Sequence, residues 1–134
     1  MKHFFSFLTL SLILVVVVLT APSCSKYQDG PVISFKKKSK RIANTWKHSA
    51  YVYIDINQTV LDNLPSTKYT YTEDGNYYTS EGDTGTWEFS GDIDLKITIK
   101  KNGLDSVKQY EILRLATKDF WLKEGDVEIH FSPE

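Results

Sequence analysis

Beyond Arg41 the apolar residues recur at every second position in short runs, and turn residues separate the runs. A period of two is the signature of a strand with one face turned to a core. Trp46, His48, Ala50, Val52 and Ile54 fall on one side of the first run, and Lys47, Ser49, Tyr51, Tyr53 and Asp55 on the other. Carried along the chain, the alternation predicts eight strands, at 46–55, 68–72, 77–81, 86–89, 93–100, 107–115, 120–123 and 127–131. Leu95, Ile97 and Ile99 share a face, as do Trp87 with Phe89, Phe120 with Leu122, and Ile129 with Phe131. Glu73-Asp74-Gly75-Asn76, Gly82-Asp83-Thr84-Gly85, Ser90-Gly91-Asp92, Lys101-Asn102-Gly103, Thr117-Lys118-Asp119 and Glu124-Gly125-Asp126 mark turns between them. Residues 57–65 read as a loop in which Val60, Leu61 and Leu64 make an apolar turn or lid.

The body holds no 3.6-residue period for three turns, and its short connections leave no room for crossover helices, so a parallel sheet is excluded. Successive hairpins give an antiparallel meander. Eight strands with one apolar face remove their exposed edges most simply by closing into an up-and-down β-barrel, an open sandwich being the alternative. Tyr110, Ile112 and Leu115 break strict parity, which predicts a bulge or bend in the long penultimate hairpin. One helical turn at 40–44 leads into Trp46 and is placed to plug an end of the barrel.

The start of the chain follows other rules. Residues 4–21 are mostly apolar, Lys2 is the one charge of the first 23 residues, and Pro22-Ser23-Cys24 closes the stretch. This is the layout of a secretory signal, with an uncleaved membrane anchor as the competing reading. Cys24 is the single cysteine, so no internal disulfide can form. Ala21-Pro22-Ser23-Cys24 resembles the lipobox of bacterial lipoproteins, and that resemblance implies cleavage before Cys24 and a lipid on its thiol. Residues 24–41 then read as a lipid-anchored linker, with a short strand at 32–35 and the basic run Lys36-Lys37-Lys38-Ser39-Lys40-Arg41. The basic run is read as a solvated lead-in to the domain, headgroup contact being the alternative. Ser25-Lys26-Tyr27-Gln28-Asp29 holds a single acid, which favours an outer-membrane anchor facing the periplasm over surface display.

Charge and chemistry narrow the function. All 17 acids and 15 of the 16 bases lie beyond residue 23, so that portion is slightly acidic and nucleic acid is not an expected partner. His48 and His130 belong to no metal-ligand spacing, the chain has no Gly-x-Ser-x-Gly elbow, and the paired acids border glycine turns. No cofactor, metal site or catalytic residue is expected, and the protein is read as a non-enzyme. His48 lies on the apolar parity as a core or cavity histidine, whereas His130 opposes Ile129 and Phe131 and belongs outside. Aromatic residues carry more information: Trp46, Tyr69, Tyr71, Tyr77, Trp87, Phe89, Tyr110, Phe120 and Phe131 form the expected inward set. An eight-stranded barrel is just wide enough for such side chains to fill it or to surround one small ligand. A filled core is the first reading, and buried phenols strengthen the case for a cavity, because each hydroxyl needs a partner that a wet or ligand-lined pocket offers.

Asn44-Thr45-Trp46-Lys47, Tyr69-Thr70-Tyr71-Thr72-Glu73-Asp74-Gly75, Gly85-Thr86-Trp87-Glu88-Phe89, and Tyr110-Glu111-Ile112-Leu113-Arg114-Leu115 with Asp119-Phe120-Trp121-Leu122 together resemble the lipocalin-like domain of small Bacteroidota lipoproteins. The resemblance spans residues 42–132 and implies a fold more than an activity. The expected organisation is therefore a signal peptide at 1–23, an anchored linker at 24–41 and a lipocalin-like barrel at 42–134. The expected function is binding of a small apolar or amphipathic ligand by Tyr69, Tyr71, Tyr77, Trp87, Tyr110 and His48, from a membrane-tethered position in the cell envelope. The alternative is a protein-interaction module of an envelope complex, using Tyr51, Tyr53 and Trp121 as an outward contact patch.

Overall fold

The computed structural model describes residues 36–101 and 104–134, and the expected signal segment, Cys24, the strand expected at 32–35 and residues 102–103 lie outside them. Among the described residues there is one short helix, α1 (Lys38–Ile42). Nine strands follow: β1 (Asn44–Tyr53), β2 (Gln58–Val60), β3 (Lys68–Tyr71), β4 (Asn76–Thr79), β5 (Thr84–Ser90), β6 (Asp94–Lys101), β7 (Leu104–Leu115), β8 (Phe120–Glu124) and β9 (Val127–Pro133). Every pairing is antiparallel. From β3 to β9 each strand pairs with the next in sequence, and β9 returns to β1, which closes an eight-stranded barrel.

β1 is the strand on which closure depends. One of its edges pairs with β9 along most of its length, from Trp46–Pro133 to Tyr53–Val127. Its other edge pairs with β3 over residues 44–47 and then with β2 over residues 51–53. The segment read as loop thus contains a ninth, three-residue strand that continues the β3 edge, while Leu61 beyond it stays exposed. Asn57 and Asn63 adopt left-handed φ angles of 49° and 55° at the two ends of this excursion, a conformation asparagine tolerates better than most side chains.

Two bulges set the facing of side chains. In β7 the register against β8 shifts between Ile112 and Arg114, as the broken parity of that strand predicts. The second bulge changes the picture. His48 opposes Phe131 but Ala50 opposes His130, so Ser49 is an extra residue and the alternation of β1 inverts beyond it. Tyr51 opposes Ile129 and Tyr53 opposes Val127, on the inner face rather than the outer one assigned from strict parity.

All nine residues of the inward aromatic set belong to the core or pack against it. Ile42, Trp46, Leu95, Leu115 and Phe120 are completely buried. Burial of side chains this size contributes roughly 1.5–3 kcal/mol each. The α1 turn does close one end of the barrel. Trp46 Nε1 donates to Ile42 O at 2.8 Å, and Arg41 Nη1 donates to Leu115 O at 2.8 Å, which ties the helix to the end of β7. Gly85 permits the tight approach of β5 to β6, because a Cβ there would stand 2.1 Å from the carbonyl oxygen of Thr98.

Candidate ligand cavity

The interior divides into two parts along the barrel axis. At the α1 end, Phe120 packs against Trp46 with ring centroids 5.4 Å apart, and Tyr71 meets Phe120 edge-on at 5.6 Å. Trp87 stands edge-on to Tyr71 and Phe89. Trp87 Nε1 donates to Thr72 O at 3.0 Å, so both buried indoles are satisfied by backbone carbonyls. These rings leave no gap for a ligand and form a floor.

Above the floor lies a cavity of about 360 Å³. Tyr71, Tyr77 and Tyr110 line its inner part, and His48, Tyr69, Ile97, Leu122, Ile129 and Phe131 form its walls. Tyr51, Ile99, Lys108, Glu124 and Val127 line it toward the open end. Lys108 faces inward because it opposes Ile97 and shares the parity of Tyr110, and Glu124 shares the parity of Leu122. This volume is at the lower end of the range for small-molecule sites, roughly 300–1,000 Å³.

Five of the six residues assigned to the site from sequence stand on this wall: His48, Tyr69, Tyr71, Tyr77 and Tyr110. Trp87 does not. Its parity is inward as expected, but its height on β5 places it beneath Tyr71 in the floor. Three wall residues escaped the sequence reading. Tyr51 was hidden by the bulge at Ser49, whereas Lys108 and Glu124 were legible from the parity of Tyr110 and Leu122.

Electrostatics keep the cavity uncharged at its base. Burial pushes the Tyr71 phenol well above its ordinary value of about 10, and neighbouring Tyr77 and Tyr110 add to the shift. Burial likewise raises Tyr77 and Tyr110, helped by Tyr69 in the first case and by the Glu124 carboxylate in the second. All three are neutral phenols at any physiological pH. His48 Nε2 shares a 2.9 Å hydrogen bond with the Tyr51 hydroxyl, and its ring is tilted against Phe131 and edge-on to Tyr69. Burial lowers the His48 pKa, outweighing the opposite pull of the Pro65 carbonyl, and its Nδ1 is buried without a full hydrogen bond. The imidazole is therefore held neutral beside the phenols.

The outer wall is organised differently. Trp121 stacks flat on His130 with centroids 4.1 Å apart, Arg114 lies over the indole, and His130 Nε2 pairs with Glu128 at 2.9 Å. His130 is outside, as parity predicts. Tyr51 lies inside and Trp121 outside, so the two do not form the shared outward patch that strict alternation implied. Among the described residues no three His, Cys, Asp or Glu side chains gather as metal ligands.

The architecture has solved counterparts. A lipocalin-like protein from Bacteroides uniformis superposes with a TM-score of 0.58 at 13% sequence identity, over 70% of this chain and 99% of that one. An uncharacterized protein from Bacteroides eggerthii superposes with a TM-score of 0.56, also at 13% identity, over 69% of this chain and 98% of the other. No family model matches the sequence, and neither does any curated protein.

Proposed function

We propose that this protein is a non-catalytic binding protein that holds one small apolar or amphipathic molecule inside its barrel. A lipid on Cys24 would keep it in the cell envelope. The observation that carries the reading is the interior itself: one end is filled by α1, Trp46, Trp87 and Phe120, while the other holds about 360 Å³ bounded by phenols and aliphatic side chains. A chain that needed only a stable barrel gains more by filling that space, since each cavity forfeits packing energy. The pairing of His48 with Tyr51 rather than with a carboxylate supports binding over acid–base catalysis. The likeness to a lipocalin-like protein supports a barrel of suitable kind.

Calorimetric titration of the full chain with decanoic acid, 1-naphthol and coumarin tests the reading. Saturable one-to-one binding of at least one is expected. The substitution Ile99→Trp, which fills the cavity near its opening, should abolish that binding while the unfolding temperature holds. Binding that survives Ile99→Trp lies elsewhere and defeats the proposal. The anchor is tested separately: radiolabelled palmitate should enter the wild-type chain in a bacterial host and not the Cys24→Ala variant.

A further inference from the structure

The hydroxyls of Tyr71, Tyr77 and Tyr110 separate this cavity from a simple greasy pocket. The three residues keep only 3, 3 and 9% of their surface exposed, and all three line the cavity. No hydrogen bond among the described residues engages any of their hydroxyls, in contrast to the buried indole nitrogens of Trp46 and Trp87. The phenols lie close together: the Tyr71 and Tyr77 rings are 5.3 Å apart, and Tyr69 and Tyr77 are 6.5 Å apart. Tyr71 stands at the inner end, where it rests on Phe120 and Trp87 of the floor, and Tyr77 and Tyr110 line the wall with it. Nearer the opening the wall is mixed, with Ile99, Val127 and Ile129 beside Tyr51, Lys108 and Glu124.

The three hydroxyls open onto the cavity, and an occupant that covers one without bonding to it leaves that group unpaired, so the pocket discriminates for a ligand that satisfies them. Neutral phenols both donate and accept, which suits hydroxyl and carbonyl groups. Size adds a second constraint. At the packing density of protein interiors, 360 Å³ takes about 18 non-hydrogen atoms. That is room for a compound of two or three rings. Tyr69 is tilted against Tyr77 and edge-on to Phe131, so aromatic faces and edges both line the wall for a ring-bearing occupant.

We infer that the cavity takes a small hydroxylated ring compound, with Tyr71, Tyr77 and Tyr110 hydrogen-bonding its hydroxyl groups and the aliphatic side chains of Ile97, Ile99 and Ile129 covering its apolar face. This rests on the binding role proposed above and narrows its ligand class.

Titration of the full chain with coumarin, 7-hydroxycoumarin and 6,7-dihydroxycoumarin, alongside decanoic acid, tests it. The dihydroxy compound is expected to bind at least tenfold more tightly than coumarin, with 7-hydroxycoumarin between them. Tyr77→Phe and Tyr110→Phe should each cut that preference threefold or more. Equal affinity for coumarin and its hydroxylated forms overturns the inference, as does tighter binding of decanoic acid, and in either case Ile99→Trp-sensitive binding leaves the binding role standing. If no probe binds, both fall. The wild-type comparison among the three coumarins decides the matter even where a variant folds poorly.

Discussion

The two ends of the barrel are built by the same strands with the same alternation, yet they treat their polar atoms in opposite ways. At the closed end each indole N–H meets a backbone carbonyl, Trp46 to Ile42 and Trp87 to Thr72. At the open end three phenol hydroxyls face the cavity with no partner in the protein. One end satisfies itself and so contributes stability; the other is left unsatisfied and so has something to offer a ligand. The difference teaches that inward aromatics in a small barrel are not one class. Whether such a ring is core or recognition surface is decided by where its polar atom finds its hydrogen bond.

The comparison can be broken most severely by alkali. The folded pKa values of Tyr71, Tyr77 and Tyr110 are raised, so the stability linked to them is complete below the unfolded value of about 10 and is lost as pH climbs past it. Cooperative unfolding is expected between about pH 10 and 12. Phenolate absorbance at 295 nm should rise together with the loss of near-ultraviolet circular dichroism; phenolate appearing well before unfolding would show the cavity phenols to be solvated. Next in size is Trp46→Ala, which empties the closed end and should cost about 3–5 kcal/mol in urea denaturation. Gly85→Ala forces a methyl against the Thr98 carbonyl and should cost about 1–3 kcal/mol by the same measurement. Trp87→Phe deletes a satisfied hydrogen bond and should cost about 1 kcal/mol. Smallest of all, Tyr77→Phe and Tyr110→Phe remove hydroxyls that make no bond in the protein, and their stability should stay within about 0.5 kcal/mol of the wild type. A Tyr→Phe cost as large as that of Trp87→Phe would erase the distinction between the ends.

Much of this was readable in the chain itself. The period-two pattern located the eight barrel strands and the inward aromatic set, and the helical turn before Trp46 was rightly read as a plug. The broken spacing of Tyr110, Ile112 and Leu115 announced the β7 bulge because large apolar residues stand on both sides of it. The bulge at Ser49 gave no such sign: His48-Ser49-Ala50-Tyr51 contains small or ambivalent residues that fit either face. β2 was missed because three residues are too few to show a period, and they pair only along the free part of the β1 edge. Trp87 illustrates a further limit. Alternation states which face a side chain takes but carries no information on its height along the barrel axis, and height alone separates Trp87 in the floor from Tyr77 in the wall.

The meeting of Glu134 N with Thr45 O at 3.0 Å places the residue after β9 beside the start of β1, at the closed end. Head and tail of the barrel are thus neighbours, and the hairpin tips around the opening are ordinary reversals that carry no terminus. Re-joining the ends and cutting the chain instead between β4 and β5 would give a circular permutant with every strand pair retained. A sensor could then be built by placing a reporter at the new termini, beside the entrance rather than beneath the floor.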